Sequence, residues 1–282
     1  MPKARFRDIL KCADDNGFAV AAYDVYDYES AKWVVRAAER ERVPVILMFY
    51  PDMGSFIPLS VIGGLLNLMA ESAAVPVGVH LDHSRTFELA VSGIPAGFQS
   101  VMFDGSSLPF EENAEITKRV RDCARIFGAD VEAELGIVGS GANRDDFLDP
   151  EKYTTAAAAA EFIDRTGADA LAVAVGNSHG NYACEPCLDI KRLDEIDRAT
   201  SAPLVLHGGS GIPSEQVRES IGHGIRKINV ATEYLEKARG VYGRLMRESG
   251  SLLDVYEKAG EELAEHIRER LAWFNPKGWR LP

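Results

Sequence analysis

Apolar runs of strand length alternate with amphipathic runs of helix length along almost the whole chain. The strand-like runs fall at 18–23, 43–49, 77–81, 100–103, 130–135, 170–175, 203–206 and 225–230. A helix-like run follows each of them, at 29–42, 59–73, 85–91, 111–127, 150–166, 188–200, 214–223 and 232–247. Further helices are expected at 5–15 and 252–271. Eight strands separated by helices over about 250 residues predict an α/β chain of the (β/α)8 TIM-barrel class with an additional C-terminal helix. The rival architecture is a doubly wound open sheet. Its dinucleotide-binding version lacks a signature here, because no G-x-G-x-x-G opens a helix after the first strand. There is no linker, composition break or internal repeat, so residues 1–282 are expected to form a single domain.

Polar residues interrupt this pattern at the ends of the strands, where a barrel places its chemistry. The third strand, Val77-Gly78-Val79-His80-Leu81-Asp82-His83, begins apolar and ends in polar groups. Alternation puts Gly78, His80 and Asp82 on one face, and His83 falls where the strand stops. An Asp and a His aimed into a cavity suit a general acid/base beside a metal ligand. Asp104 ends the fourth strand and Glu132 and Glu134 the fifth. Asn177-Ser178-His179-Gly180 follows the sixth, His207-Gly208-Gly209-Ser210-Gly211 the seventh, and Asn229-Val230-Ala231-Thr232 closes the eighth. Three of the six histidines, His83, His179 and His207, thus gather at one rim with carboxylates between them. That set matches a catalytic zinc site, which takes three protein ligands and leaves a position open. His223 and His266 fall in helical stretches and are expected at the surface.

A second cluster suits an anion. The Gly-rich turns at 176–180 and 207–211 let backbone N–H groups approach closely, and Ser210 and Thr232 add hydroxyls. The helix starting at Thr232 contributes its partial positive charge.

Composition narrows the partners. A net charge of −12 argues against a nucleic-acid surface. No apolar run approaches the ~20 residues needed to span a membrane, and the first residues lack the apolar core of a signal peptide, so a cytoplasmic location is expected. Cys184 and Cys187 form a C-x-x-C without a second pair or a thioredoxin-like context, and are read as ordinary loop thiols.

At this point the sequence resembles the class II, zinc-dependent ketose-bisphosphate aldolases, the fructose- and tagatose-bisphosphate aldolase family. Five motifs carry the resemblance, in order: His80-Leu81-Asp82-His83, Val131-Glu132-Ala133-Glu134-Leu135-Gly136, Ser178-His179-Gly180-Asn181-Tyr182, Leu206-His207-Gly208-Gly209-Ser210-Gly211 and Lys227-Ile228-Asn229-Val230-Ala231-Thr232-Glu233. It spans about residues 5–245. The resemblance implies a lyase that reversibly cleaves a ketose (bis)phosphate to dihydroxyacetone phosphate and an aldehyde through a zinc-stabilised enediolate. It implies that His83, His179 and His207 hold Zn2+, with Glu134 as an alternate ligand, and that Asp82 is the acid/base at the C4 hydroxyl. Gly180, Gly208, Gly209, Ser210, Asn229, Ala231 and Thr232 would cradle the phosphate, with a monovalent cation (Na+ or K+) nearby. A homodimer or homotetramer is implied as well.

Three departures bear on the substrate and on the chemistry. Asp24 stands where the family commonly has Asn, Tyr50 where it has a small hydroxyl residue, and Ala142 roughly where it has a loop Glu implicated in proton exchange. Asp145 or Asp146 could replace that Glu. These changes keep two alternatives open: an aldolase with an altered aldehyde half-site acting on a non-standard or non-phosphorylated ketose, and a non-catalytic sugar-phosphate-binding barrel. A metallohydrolase would usually carry His-x-His on the first strand, which here reads Ala21-Ala22-Tyr23-Asp24. The aromatic tail 273–279 suits either an interface or a fold back onto the barrel.

Overall fold

The computed structural model describes residues 3–282, apart from the side chains of Asp145 and Asp146. The proposed replacement of the loop Glu by either of these two therefore lies outside the described residues. In chain order the elements are α1 (Phe6–Asn16), β1 (Val20–Asp24), α2 (Tyr28–Glu41), β2 (Val45–Phe49), α3 (Leu59–Ser72), β3 (Val77–Ser84), α4 (Phe87–Gly93) and β4 (Ser100–Phe103). Next come α5 (Phe110–Phe127), β5 (Asp130–Leu135), α6 (Arg144–Phe147), α7 (Ala156–Thr166), β6 (Ala170–Val173), α8 (Ile190–Ala199) and β7 (Leu204–Leu206). The chain ends with α9 (Ser214–Gly222), β8 (Ile225–Val230), α10 (Thr232–Glu248) and α11 (Leu252–Phe274). Several loops end in a side chain that caps the next helix: Asp27 accepts from the N–H of Ser30, Thr86 from Leu89, Thr155 from Ala158 and Asp189 from Arg192.

The strands pair in parallel in the order β1 to β8, and β1 closes on β8 with Ala22 opposite Asn229. This is the expected barrel. Strand alternation divides its residues. Tyr23, Leu47, Val79, Leu81, Val101, Val131, Ala133, Leu171 and Ile228 face outward and pack under the helices. Ala22, Ile46, Met48, Ala170, Ala172 and Val205 face inward and cluster with Phe6, Ile9, Leu10 and Ala13 of α1. The α1 helix thus plugs the N-terminal end of the barrel. On the same inward parity lie His80 and Asp82 of β3, Glu132 and Glu134 of β5, and Lys227 and Asn229 of β8, all buried.

The α11 helix buries Val255, Ala259, Leu263, Ile267, Leu271 and Phe274, a three-to-four-residue stripe. Its Arg268 pairs with Glu41 of α2 at 2.9 Å and its Glu261 with Arg40 at 2.7 Å. The aromatic tail folds back: Trp279 stacks on Phe18 at 4.9 Å, and Arg280 pairs with Glu41.

Two of the boundaries that differ from expectation have a cause in side-chain bonding. The helix expected at 150–166 begins only at Ala156, after a short 3-10 turn at Pro150–Lys152. The Thr154 hydroxyl donates to the carbonyl of Leu135 and accepts from the N–H of Ala174, which pins residue 154 to the sheet. The same bond shortens the sixth strand. The amides of Ala174 and Val175 are taken by the side chains of Thr154 and Asn177, so pairing stops at Val173. Among the described residues no helix is long and apolar enough to cross a membrane.

Candidate active site

The three rim histidines come together. Ring centroids lie 4.6 Å apart for His83 and His207, 4.8 Å for His83 and His179, and 5.7 Å for His179 and His207. Their nearest ring nitrogens lie within 4.8 Å of one another, as do the side chains of His83, Asp104 and Glu134. Strict alternation would turn His83 away from Asp82. Instead His83 has φ 31, and the β3–β4 register shifts between Leu81 and Ser84. This local bulge lets both side chains address one cavity.

Each imidazole is tied through one ring nitrogen. Asp104 accepts from His83 Nδ1 at 2.9 Å, the carbonyl of Val138 from His179 Nδ1 at 3.2 Å, and Glu132 from His207 Nε2 at 2.9 Å. An acceptor on one nitrogen fixes the proton there and bares the other. His179 Nε2, His207 Nδ1 and Glu134 Oε2 are all buried without a hydrogen-bond partner. His207 Nδ1 and Glu134 Oε2 are 2.9 Å apart, yet not aligned for a hydrogen bond. Bare imidazole nitrogens and an orphaned carboxylate oxygen converging in a buried site fit a cation such as Zn2+ with an open position.

The electrostatics agree. Burial alone would lower the His83 pKa, but Asp82, Asp104 and Glu134 outweigh it and push it up to about 10. His207 is likewise lowered by burial and raised further by Glu132 and Glu134. His179 falls to about 3, through burial and the neighbouring His83 and His207. The carboxylates thus hold positive charge at this site, as protons or as a metal ion. Burial raises Asp82, but His83 and Lys227 overcome it and keep it below its usual range. Asp24 moves the opposite way, well above the usual range, through burial and the nearby Asp82.

A cavity of about 330 Å³ opens above the histidines. Gly180, Gly208, Ser210, Asn229, Ala231 and Thr232 line it from β6–β8, and Asp24, Tyr50 and Arg85 from β1–β3. Gly208 has φ 63, and a Cβ there would come within 1.9 Å of the Ser178 carbonyl oxygen, so no larger residue fits. Ser210 Oγ accepts from the N–H of Glu233. Ala231 precedes α10 without a side-chain cap of its own, so first-turn N–H groups other than that of Glu233 are left for a ligand. Gly209 sits behind this surface. Its N–H donates to the carbonyl of Asn229, so it supports the turn from behind. Asn229 donates from Nδ2 to Asp82 Oδ1 at 3.2 Å.

His207 and Glu134 form the buried floor, with Asp82 and His83 above them. Asp24 is 5% exposed, with Oδ1 lacking a partner. The Tyr50 hydroxyl donates to Asp52 at 2.5 Å and accepts from Arg85 at 3.1 Å. Arg85 escapes the sequence reading, although it follows the third-strand motif by only two residues. His80 and Lys227 stand in the quoted motifs without a role assigned to them, and both are fully buried; charged residues at inward parity on a strand are the signal that points to one. His266 is half-buried on α11 and pairs with Glu233 at 3.1 Å. His223 caps α9 and meets Asp194 at 3.1 Å. All four cysteines are free thiols.

Comparison with known proteins bears on this geometry. The sequence profile of the family described as "Fructose-bisphosphate aldolase class-II" matches residues 4–279. A fructose-bisphosphate aldolase of Staphylococcus epidermidis is 40% identical over 286 aligned positions, covering 97% of this chain and 98% of the relative. The crystal structure of the YdjI aldolase from Escherichia coli K12 superposes with a TM-score of 0.88 at 33% identity, covering 98% of this chain and all of that one. A fructose-bisphosphate aldolase from Campylobacter jejuni shares the fold, with a TM-score of 0.80 at 21% identity over 97% of this chain and 95% of that one.

Proposed function

From the premise that the chain belongs to the class II fructose-bisphosphate aldolase family, we propose that it reversibly cleaves a ketose 1-phosphate or 1,6-bisphosphate into dihydroxyacetone phosphate and an aldehyde. His83, His179 and His207 hold zinc in this reading, and Glu134 is a reserve ligand. The observation that carries it is the pair of bare nitrogens on His179 and His207, gathered with His83 beside Asp82 under a glycine-rich cradle. Bound zinc supplies Lewis-acid stabilisation of the negative charge that cleavage leaves on the ketone fragment. Asp82 takes the proton of the C4 hydroxyl as the C3–C4 bond breaks. Asn229 holds one oxygen of that carboxylate in place. The backbone of Gly180, Gly208, Ser210, Ala231 and Thr232 grips the phosphate and fixes the reacting carbons in register, with Gly209 buttressing the turn. A monovalent cation, Na+ or K+, beside that phosphate and a homodimeric or homotetrameric assembly belong to the same proposal, as does a cytoplasmic location.

The aldehyde half of the substrate then lies toward Asp24 and Tyr50. The unpartnered, buried Asp24 Oδ1 on this side favours a second reading, an aldolase whose aldehyde half-site accepts a different ketose. The test is release of dihydroxyacetone phosphate from a panel of ketose 1-phosphates and 1,6-bisphosphates, with and without a chelator. Chelator-sensitive release from fructose or tagatose bisphosphate supports the first reading, and release only from other ketoses the second. Zinc-loaded protein that releases nothing would leave a binding barrel without turnover.

A further inference from the structure

Beneath the histidines lies a buried ion pair to which the reaction assigns no role. Lys227 and Glu132 are both fully buried, on strands that face each other across the barrel interior. Lys227 Nζ lies 2.9 and 3.1 Å from the two Glu132 oxygens. It also donates to Asn229 Oδ1 at 2.7 Å. His80 stands beside the pair, its Nε2 3.8 Å from Glu132 and its Nδ1 bonded to Ser100.

We infer that Lys227 and Glu132 are positioning residues that set two orientations at once: the nitrogen His207 presents to the metal and the oxygen Asp82 presents to substrate. The inference rests on the proposed roles of His207 and Asp82. Glu132, a carboxylate held by an ammonium group, only accepts. The proton of His207 therefore sits on Nε2, at 2.9 Å from Glu132, and Nδ1 is left bare toward Glu134. An ammonium only donates. Lys227 therefore claims the amide oxygen of Asn229, which leaves Nδ2 to meet Asp82 Oδ1 at 3.2 Å. Asp82 Oδ2, 3.7 Å from His83 Nε2, stays on the reactant side. One ammonium group thus links a metal ligand to the proton-transfer group through two short chains of hydrogen bonds. A fully buried ion pair is weak as a stabilising device, since apolar replacements of both partners are often as stable. A role in orientation accounts for its place at the junction of both chains.

The test compares zinc-loaded wild type with Lys227→Met and with Lys227→Met/Glu132→Gln. Zinc affinity is read by competition with a chromogenic chelator, and ligand geometry by the visible spectrum after Co2+ substitution. Steady-state cleavage gives kcat and KM separately. Lys227→Met should bind zinc about 10- to 100-fold more weakly, alter the cobalt spectrum and lower kcat with little change in KM. In the double variant the amide at 132 can still accept from His207 Nε2. Zinc affinity should then recover while kcat stays low, because nothing fixes Asn229. A folded Lys227→Met with wild-type affinity, spectrum and kcat overturns the inference, and so does full recovery of kcat in the double variant. Should Lys227→Met fail to fold, the double variant, which leaves no unpaired buried charge, decides the matter by its kcat alone. Wild type that binds no zinc would overturn the functional reading and this inference with it. Wild type that binds and cleaves beside an indifferent Lys227→Met overturns the inference alone.

Discussion

The two ends of the barrel interior are made by the same eight strands and solve opposite problems. At the N-terminal end, Phe6, Ile9 and Leu10 of α1 fill the space, and the Phe6 ring stacks on His80 at 5.2 Å. Asp130, buried at the start of β5, accepts from the backbone N–H of Arg7 and from its guanidinium, although His80 Nε2 beside the plug has no partner. At the C-terminal end, Asp24, Glu134, His179 and His207 bury polar atoms that have no partner. Each such atom costs about 1–3 kcal/mol. The apolar plug stabilises the barrel at the lower end, and in the proposed reading a cation and a polar ligand complete the unpartnered groups at the upper end. Where buried polar groups go unmatched, function is the first explanation to test.

The sharpest way to break this contrast is to remove a ligand from the upper end. His207→Ala should lose zinc and slow cleavage by about a thousandfold or more, equivalent to several kcal/mol of lost Lewis-acid stabilisation. Zinc content by elemental analysis and the steady-state rate check it. Retention of both would remove His207 from the site. Next in size, Asp82→Asn should keep zinc and lose cleavage by about 10²- to 10⁴-fold. Normal cleavage would show that another group moves the C4 proton.

The lower end predicts the reverse pattern. Phe6 is 1% exposed inside the plug. Phe6→Ala should destabilise the fold by about 3–5 kcal/mol, read by urea unfolding, while kcat per folded molecule is unchanged. A loss of kcat comparable to that of Asp82→Asn would show that the two ends are not separable.

The barrel and most of its rim are legible in the sequence, because polar residues interrupt apolar runs only where strands end. What remains hidden depends on contacts between distant residues. Nothing in His80-Leu81-Asp82-His83 signals the left-handed turn at φ 31 that brings His83 in beside Asp82. Lys227 and Glu132 lie 95 residues apart and meet only when β5 and β8 face each other inside the closed barrel. The late start of α7 follows from Thr154 bonding to β5 and to residue 174, which no local propensity encodes. Gly209 belongs to a phosphate-type turn by its sequence, but the fold directs its N–H to Asn229.

The smallest effect is expected just outside the mouth, where a charged group is fully matched. Glu233 opens α10 beside the cradle and pairs with Arg270 and His266 of α11. Burial would raise its pKa, but His266 and Arg270 lower it below the ordinary value. Its folded pKa therefore lies below the unfolded one. The stabilisation is complete above the unfolded value of about 4.3 and is lost as pH falls through the folded value. Because Glu233 keeps a quarter of its side chain in solvent, Glu233→Gln should cost only about 1 kcal/mol or less at neutral pH. Urea unfolding of the variant and wild type should show the gap closing below about pH 4.3. A gap that persists or widens in acid would mean that the side chain acts through packing, and that charge matching at this edge contributes nothing to docking α11 on the barrel.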